Sequence, residues 1–394
     1  MRPARRFAIL FPMKRFTENR TMMLMAAAVA AILLAALGLP VFTWLRLELG
    51  GAAWAFWFVW LVPFLSLPLS YSVREGKVRT WMHRIGECCM GAVLYISMTF
   101  ILKAAVLLVM SLSGSALPAG VRIWAGRAAF LLFLMIYLAG VLTALRIKTV
   151  RLEITAPVKN RLRLVPLSDL HLGFFTGRRM TERIASAVNG ERPDAVLFAG
   201  DIFDMDYLSL RDPERHARAV RSITAPLGKY ACLGNHDMLN DDPRKDEWIR
   251  GCGITVLHDE TEHLGDIVLL GRRDVSDEER MTPEEAYKAI PPGAYAVVLD
   301  HNPSGYRSEW EHGASLLLCG HTHGGQTFPL DILQKLVMPM PVYGYRRAGE
   351  KSLFVTSGAG FWGPPLRLGV RNEIVRIDLV PEKCESTDAH DRPC

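Results

Sequence analysis

The chain has 394 residues, more than one ordinary hydrophobic core accommodates, so its length predicts two or three domains. The formal net charge is only +6 and lies largely near apolar segments, which argues against a nucleic-acid-binding protein. The seven cysteines are odd in number and irregularly spaced, which argues against a disulfide framework and favours a reducing compartment. Nearly all long apolar runs fall in the first 150 residues, whereas the remainder has the mixed composition of a soluble α/β domain.

The N-terminal region predicts four membrane-spanning helices. A basic segment over residues 1–20 precedes the apolar run Thr21–Leu45, which is longer than the roughly 20 residues needed to cross a bilayer. A cleaved signal peptide would have a shorter apolar core of about 7 to 15 residues. Three more runs follow, at about Ala53–Tyr71, Cys88–Leu112 and Ile123–Leu145. We therefore expect residues 1–150 to form a membrane domain of four helices that contacts the lipid bilayer.

The basic residues of the loops predict the orientation of these helices. Between the second and third runs lie Arg74, Lys77, Arg79 and Arg84, and after the fourth come Arg146, Lys148 and Arg151. Because positive loops stay on the cytoplasmic side, both termini and everything after residue 150 should face the cytoplasm. We expect a multi-pass protein of the inner (cytoplasmic) membrane. The runs contain no acidic residue and no paired broken helices, so we interpret them as an anchor rather than a transport path.

After residue 160, short apolar runs alternate with polar segments of helical character. The predicted strands are Leu162–Leu167, Ala195–Ala199, Lys229–Leu233, Ile254–Leu257, Ile267–Leu270, Tyr295–Leu299, Ser315–Leu318, Ser352–Thr356 and Ile374–Leu379. The predicted helices are Arg179–Asn189, Pro213–Ser222, Pro243–Gly251, Pro283–Ala289 and Ser304–Glu311. This alternation predicts a largely parallel sheet, in which ligands bind at the carboxyl ends of the strands.

Five of these strands, in chain order, run into residues of the metal-binding type. Their ends carry Asp169 and His171, Asp201 and Asp204, Asn235 to Asp237, Asp300 and His301, and finally His321 and His323. One such end would be a solvated turn, but five in order are not explained in that way. Asp, His and Asn combine hard oxygen and imidazole donors without thiolate, which suits Mn²⁺, Fe or Zn²⁺ rather than a structural zinc site.

The candidate ligands are too many for one ion, while a carboxylate can bridge two. Two divalent ions about 3.5–4 Å apart can share a hydroxide as nucleophile and hold the oxygens of an in-line displacement. Two aspartates and a hydroxide would leave such a pair of ions with net positive charge. The pattern therefore predicts a binuclear site for a phosphate-containing substrate.

The motifs D-x-H, G-D-x-x-D, G-N-H-D, H and G-H-x-H occur in this order between Leu162 and Leu379 and resemble those of the calcineurin-like metallophosphoesterase family. The Gly-Gly-Gln after the last motif and the segment Ser357–Ile374 resemble a membrane-associated bacterial branch of it. The resemblance implies an α/β fold, a four-layer α/β/β/α sandwich, over residues 151–381. It would follow the all-α bundle of four transmembrane helices and precede a flexible tail at residues 382–394.

The resemblance also implies a role for each site residue. The residues implied to bind one metal ion are Asp169, His171, Asp201 and His323. Those implied to bind the second are Asp201 as the bridge, Asn235, His301 and His321. His236 would contact the phosphate and protonate the leaving oxygen, and Asp237 would orient His236. Asp204 would support the ligands, and Arg367 or Arg371 would replace an arginine that relatives often carry before Gly358.

These observations predict a membrane-anchored phosphohydrolase that cleaves phosphoester or pyrophosphate bonds through attack by a metal-bound hydroxide. Its expected cofactors are two divalent ions, Mn²⁺ first, with Fe, Zn²⁺ and Mg²⁺ as alternatives. Anchoring favours a lipid-linked substrate. The apolar segment Val337–Tyr345, with Phe361 and Trp362, is either ordinary packing or a lip that holds an acyl chain or touches the bilayer. The alternatives are a phosphodiesterase of soluble nucleotides and a non-catalytic membrane scaffold or sensor. The histidines outside the motifs are interpreted as surface residues: His216, His258, His263 and His312.

Overall fold

The computed structural model of the protein describes residues 20–382 except 74–75, 113, 115–116, 206 and 240–241. The basic segment over residues 1–19 and the predicted tail after Glu382 lie outside this part. Within it, the chain divides into two compact units, residues 20–65 with 89–136 and residues 66–88 with 137–382. The domain limits expected from the sequence, at residues 150 and 381, stay a prediction.

The N-terminal part of the chain consists of apolar helices, as predicted. They span Arg20–Leu49, Ala55–Ser72, Lys77–Ser111 and Ala119–Ala144, and a 3-10 turn at Gly50–Trp54 separates the first two. Three segments of the described chain are long and apolar enough to cross a membrane: Ala35–Leu67, Lys77–Ser111 and Ala119–Ala144. The first of them runs through the turn and merges two predicted spans, so the number of four spanning helices stays a prediction. In the first unit, Val41, Phe100 and Ala129 form a buried core.

The second unit contains two mixed six-stranded sheets. The first has the strand order β1-β12-β2-β3-β4-β5 and the second β10-β11-β9-β8-β7-β6. The strands of the first sheet are β1 (Ile147–Thr155), β2 (Leu162–Leu167), β3 (Ala195–Ala199), β4 (Lys229–Cys232), β5 (Thr255–Val256) and β12 (Asn372–Val380). Those of the second are β6 (Glu260–Leu264), β7 (Ile267–Gly271), β8 (Tyr295–Leu299), β9 (Leu316–Cys319), β10 (Gly344–Ala348) and β11 (Lys351–Val355).

The strands that carry the predicted motifs run parallel, so their carboxyl ends lie at one edge of each sheet. The pairs β2–β3 and β3–β4 are parallel in the first sheet, as are β7–β8 and β8–β9 in the second. The antiparallel pairs are β12–β2, β6–β7 and β10–β11. This arrangement confirms the predicted largely parallel alternation of strands and helices.

Six helices accompany the two sheets, and half of them begin at residues that favour helix initiation. They span Arg178–Gly190, Pro213–Arg221, Pro243–Gly251, Pro283–Ala286, Tyr306–His312 and Leu330–Val337. Three of them start with proline, which is well tolerated in the first turn of a helix. The side chain of Asp242 accepts the N–H of Arg244, and Thr282 with Glu285 forms a capping box. The helix Leu330–Val337 is absent from the sequence-based assignment.

Three clusters of buried apolar residues stabilise this unit. One joins both sheets through residues such as Leu197 of β3 and Val297 of β8. A second joins the first sheet to the helices between β2 and β5, with Ile184 and Ile249 among its members. The third joins β8 and β9 to the helices on either side of β8, with Ala286 and Val298 among its members. Burial of each leucine, isoleucine or valine side chain in these clusters stabilises the fold by about 1.5–3 kcal/mol.

Candidate metal centre

Most of the predicted ligands lie on strand-end turns with an unusual backbone. The φ angles are 53° at Asp169, 44° at His171, 52° at Asp201, 71° at His321 and 51° at His323. Positive φ is uncommon for residues other than glycine, and these five account for most of the instances in the described chain. Such residues cost about 1–3 kcal/mol each and cluster at functional sites. The strained backbone positions therefore coincide with the residues of the sequence motifs.

Two glycines allow the turns to approach one another. A Cβ atom on Gly320 would lie 1.8 Å from Ser168 Oγ and 2.3 Å from Asp169 Oδ2. A Cβ atom on Gly234 would lie 2.2 Å from Asp201 Oδ1. Any side chain at either position would displace a carboxylate of the site. The glycines of the motifs G-H-x-H and G-N-H-D are thus required by close packing.

The turns bring the predicted ligands into two neighbouring groups. In the first group, His323 Nε2 lies 3.4 Å from Asp169 Oδ1 and 3.0 Å from His171 Nε2. The second group consists of Asp201, His301 and His321, and His301 Nε2 lies 3.1 Å from Asp201 Oδ2. Within each group the candidate ligand atoms lie within 4.8 Å of one another. Each group thus has the donors and the compactness that a divalent ion requires.

Asp201 faces both groups. Its Oδ2, which lies beside His301, is also 3.7 Å from His171 Nε2 of the first group. Its Oδ1 accepts the backbone N–H of His236 at 2.9 Å, which fixes the orientation of the carboxylate. Asn235 joins the second group, because its Oδ1 lies 2.9 Å from His321 Nδ1. A carboxylate in this position could bind a metal ion in either group.

The hydrogen bonds around the histidines fit a metal ion. His301 Nδ1 lies 2.9 Å from the carbonyl oxygen of Ala199, so a proton on Nδ1 leaves the lone pair of Nε2 toward Asp201. This Nε2 is buried and makes no well-oriented hydrogen bond, although Asp201 Oδ2 lies only 3.1 Å away. His171 Nδ1 lies 3.5 Å from Oδ1 of Asp204, the residue predicted to support the ligands. Buried ring nitrogens directed at one another and at carboxylates are satisfied by a shared cation.

Burial and neighbouring charges shift the pKa values of these groups. Burial opposes protonation of His301, but the Asp201 carboxylate outweighs it and raises the pKa of the imidazole. Burial likewise opposes ionisation of Asp201, and the nearby histidines, His301 first, lower its pKa below its ordinary value. Burial lowers the pKa of His321 and His323, and repulsion from neighbouring imidazoles lowers both further. The carboxylate of Asp201 and the neutral imidazoles of His321 and His323 are thus the favoured forms, and these forms bind metal. The raised pKa of His301 favours its protonated form, so a metal ion beside Asp201 would have to displace that proton.

His236 lies at the open side of the centre, and Asp237 does not orient it as predicted. The ring Nδ1 of His236 is hydrogen-bonded to the backbone carbonyl of Asp204. The Asp237 carboxylate instead accepts the backbone N–H groups of Phe203 and Gly234, each at 2.9 Å. It is buried beneath the loop, where these N–H groups need an acceptor. Asp237 therefore holds the loop that carries Asn235 and His236.

Arg367 is fully buried behind His323 and does not line the site. Its Nη1 donates to the carbonyl of His323 at 3.1 Å, and its Nη2 donates to the carbonyl of Gly360 at 2.6 Å. Burial lowers the pKa of this guanidinium to about 10. Arg371 is exposed and is not among the residues that line the cavity at the centre. Neither arginine therefore lines the cavity where a phosphate contact was expected, and Arg367 instead binds the backbone of His323.

Asp300 and His216 have structural surroundings that the sequence did not indicate. Arg280 forms a two-bond ion pair with Asp300, at 3.1 and 2.7 Å, which takes this carboxylate away from the centre. His216 is only 1% exposed, and its Nδ1 lies 2.8 Å from the hydroxyl of Thr181. The interpretation of His216 as a surface histidine is therefore wrong, whereas His263 is exposed as expected.

A cavity of about 530 Å³ opens onto the centre. One side is formed by Asp201 and by residues of the loops: Asn235, His236, His321 and His323. The other side is apolar and is formed mainly by the helix Leu330–Val337, Met338 and Trp362. Gln326 holds Trp362 in place through two hydrogen bonds with its backbone, at 2.6 and 3.0 Å. Of the apolar segment singled out in the sequence, Val337, Met338 and Trp362 line this wall, and the helix Leu330–Val337 extends it toward earlier residues.

Comparisons with known proteins agree with this geometry. The family model described as calcineurin-like phosphoesterase matches residues 162–325. The zebrafish (Danio rerio) "Transmembrane protein with metallophosphoesterase domain" is 35% identical over 236 residues, which cover 56% of this chain and 53% of that protein. An "Uncharacterized metallophosphoesterase" of Helicobacter pylori (strain J99) is 31% identical over 233 residues, 56% of this chain and 60% of that protein.

A third relative is the "Phosphodiesterase YaeI" of Escherichia coli (strain K12), which is 28% identical over 233 residues, 54% of this chain and 80% of that protein. The chain spans between half and two thirds of the length of the first two relatives. For these three relatives the matched part amounts to 54–56% of this chain, whereas the family model matches residues 162–325, which is less than half of it. Residues 162–325 therefore match a calcineurin-like phosphoesterase domain, and the chain is similar to metallophosphoesterases over somewhat more than half of its length.

Proposed function

We propose that the protein is a membrane-anchored hydrolase that uses two divalent metal ions to cleave a phosphoester or pyrophosphate bond of a lipid-linked substrate. The observation that carries this proposal is the cavity of about 530 Å³, in which the candidate ligands face an apolar wall. In this wall, Leu333 is 55% exposed, Val337 69% and Trp362 57%. Exposed apolar surface beside a polar centre suits a substrate whose phosphate is attached close to hydrocarbon.

The ligands for the two ions follow the two groups of side chains. The proposed ligands of the first ion are Asp169, His171, Asp201 and His323, and those of the second are Asp201, Asn235, His301 and His321. When bound, such ions supply positive charge for the phosphate oxygens and lower the pKa of a water molecule so that it can act as nucleophile. The mixture of oxygen and nitrogen donors favours Mn²⁺, with Fe, Zn²⁺ and Mg²⁺ as alternatives.

The residues of the protein bind and orient the substrate and transfer a proton. His236 lines the cavity, and its Nδ1 is held by the carbonyl of Asp204. Its Nε2 is then the ring atom that contacts the phosphate and, when protonated, donates a proton to the leaving oxygen. Asp237 keeps this ring in place indirectly, through the loop that it holds. The apolar wall places the hydrocarbon part of the substrate and excludes water from that side.

The proposal includes the architecture expected from the sequence. The three buried clusters support a four-layer order in which helices cover the outer faces of the two sheets. The apolar helices support a multi-pass anchor, for which four spans remain our proposal. The basic residues after the last helix support a catalytic domain that faces the cytoplasm from the inner membrane.

The test compares a lipid-linked with a water-soluble substrate on the full chain. We would measure Mn²⁺-dependent hydrolysis of CDP-diacylglycerol in detergent and of bis(p-nitrophenyl) phosphate. Asp201→Asn should abolish both activities. Leu333→Gln should raise KM for the lipid about tenfold, because it removes roughly 1–2 kcal/mol of apolar contact, and should leave the soluble diester unaffected. The matched control is Leu227→Gln, a half-exposed leucine outside the cavity.

Each outcome distinguishes between the candidate functions. Hydrolysis of the soluble diester alone, or an equal effect of Leu333→Gln on both substrates, would refute the lipid-linked substrate and favour a phosphodiesterase of soluble nucleotides. Phosphate binding without hydrolysis of either compound, with any of the four metals, would favour a non-catalytic membrane scaffold or sensor. Retention of activity in Asp201→Asn would refute the bridging role of this carboxylate.

A further inference from the structure

A second cavity, of about 760 Å³, shares no lining residue with the cavity at the metal centre. Five arginines line it: Arg84, Arg178, Arg179, Arg183 and Arg211. Asp212 is the one carboxylate among its described lining residues, and its Oδ2 lies 4.0 Å from Arg178 Nη1. Guanidinium groups repel one another unless an anion lies between them. The cavity therefore has the charge of an anion-binding site.

The arginines present groups that suit phosphate. A guanidinium is planar, always charged and offers two parallel N–H donors to phosphate oxygens. The position of Arg84 is fixed, because its Nε donates to the backbone carbonyl of Phe174 at 2.6 Å. Arg179, Arg183 and Arg211 are exposed, so their donors are accessible to a ligand from solution or from a lipid surface. The concave shape and the volume suit a small molecule better than a protein surface.

Apolar residues complete the wall of the cavity. Leu145, Phe175, Met180 and Phe361 line it beside the arginines. An inorganic anion or a free nucleotide would leave this apolar part without a partner. A molecule that joins a phosphate to hydrocarbon satisfies both parts of the wall.

The cavity lies beside the N-terminal part of the helix Lys77–Ser111 and the C-terminal end of the helix Ala119–Ala144. Arg84 belongs to the helix Lys77–Ser111 and precedes by about one turn, or roughly 6 Å, the apolar run that begins at Cys88. Leu145 directly follows the helix Ala119–Ala144. If these helices cross the bilayer as proposed, their ends lie at the depth of the lipid headgroups, where arginine side chains meet anionic phosphates.

We propose that this cavity binds the headgroup phosphate of an anionic membrane phospholipid. The arginines hold the phosphate, and the glycerol and the first acyl carbons contact Leu145 and Phe175. This lipid is a bound component of the anchored protein and not the substrate of the metal centre. The proposal rests on the proposed membrane insertion, but it is independent of hydrolysis.

The test measures lipid binding by the full chain in zwitterionic detergent, by isothermal titration calorimetry with dioctanoyl phosphatidylglycerol. Asp201→Asn serves as the background, so that turnover cannot consume the lipid. The cavity variant is Arg183→Gln with Arg211→Gln, and the matched control is Arg218→Gln with Arg307→Gln. All four arginines are exposed, and thermal unfolding checks that both double variants remain folded. We expect the cavity variant to weaken binding at least about tenfold, because two guanidinium–phosphate contacts are lost.

Competing ligands separate a lipid from a free anion. Dioctanoyl phosphatidylcholine should bind much more weakly than phosphatidylglycerol, and millimolar glycerol 3-phosphate should displace little of the lipid. Equal binding by the cavity variant and the control variant would overturn the proposal. Full displacement by inorganic phosphate or glycerol phosphate would also overturn it, in favour of a site for small anions. A protein that binds this lipid but hydrolyses nothing would refute the proposed enzyme and leave the lipid site standing.

Discussion

Replacement of Arg367 by methionine should weaken metal binding without unfolding the protein. The substitution keeps most of the side-chain volume but removes the donors to the carbonyls of His323 and Gly360. His323 is a proposed ligand, and its turn then loses its fixed position. Loss of a group that orients a metal ligand typically lowers metal affinity 10–100-fold, and we expect about this effect for Mn²⁺.

The expected change in stability is smaller than the hydrogen bonds alone suggest. Two buried carbonyls without donors cost about 2–6 kcal/mol in the free energy of unfolding. The same substitution removes a buried charge. Burial lowers the pKa of Arg367 from 12.5 to about 10, so removal of this charge returns about 3 kcal/mol to the free energy of unfolding. The net loss is then at most about 3 kcal/mol, which a protein with a typical stability of about 5–15 kcal/mol tolerates.

The assay is calorimetric titration of the metal-free full chain with Mn²⁺, together with its thermal unfolding. The control is Ile184→Val, a core substitution that should cost about 0.5–1.5 kcal/mol without contact to the centre. If the folded Arg367→Met protein binds Mn²⁺ as tightly as the wild type, Arg367 does not position His323. Equal weakening by Ile184→Val would show that metal affinity follows global stability instead.

Gly320→Ala should abolish metal binding, because the added Cβ would lie 1.8 Å from Ser168 Oγ; elemental analysis that still finds two Mn²⁺ per chain would contradict this packing. As the pH falls from about 6.5 to about 4, the titration of His216 should lower the free energy of unfolding by up to about 3 kcal/mol. Burial lowers its folded pKa to about 4, so the unfolded chain takes up this proton first. His216→Gln should flatten the curve measured by urea unfolding, and an unchanged slope would refute the assignment. Cys252, whose pKa burial raises to about 12, and the buried Cys232 and Cys319 should resist alkylation at pH 8. With serine at the remaining positions (Cys88, Cys89 and Cys394), an impermeant maleimide should label Cys384 in inverted vesicles only, and labelling in intact cells would reverse the proposed orientation.

The sequence predicts the centre well where the chemistry depends on strand ends. The strands β2, β3 and β8 have the expected bounds or nearly so, because each is a short apolar run that ends at a motif. Parallel strands place their carboxyl ends together, so residues far apart in the chain meet at one edge. The approach of His171 to His323 requires in addition that the two sheets pack against each other, because β2 and β9 belong to different sheets.

The directions of side chains could not be predicted in this way. Asp237 is next to His236 in the chain, but neighbouring residues on a loop point to different sides, and the backbone of the loop needed the carboxylate. Arg367 supports a ligand from 44 positions later in the chain, a contact that only the fold creates. Sequence proximity was therefore a poor guide to the groups that support the ligands.

Elements with an atypical pattern were also missed. The strand β1 alternates apolar residues with charged ones and follows an apolar helix almost directly, so it lacks the buried run by which the other strands were found. The helix Leu330–Val337 does carry the spacing of an amphipathic helix, with apolar residues at Leu330, Leu333 and Val337, but these side chains are largely exposed. The position of β1 depends on its pairing with β12, and the position of the helix Leu330–Val337 depends on the cavity that it lines.

The pairing of β1 has a consequence for how the protein is made. Within the described sheet β1 is an edge strand whose partner is β12, with Ile147 opposite Asn372 and Thr155 opposite Val380. The ribosome therefore releases the first strand of the domain long before the strand that completes it. A nascent chain that stops before β12 presents a nine-residue unpaired edge, open to pairing with other chains. Translation through Val380 closes this edge, so a premature stop codon only slightly upstream should direct an otherwise long product to aggregation or proteolysis.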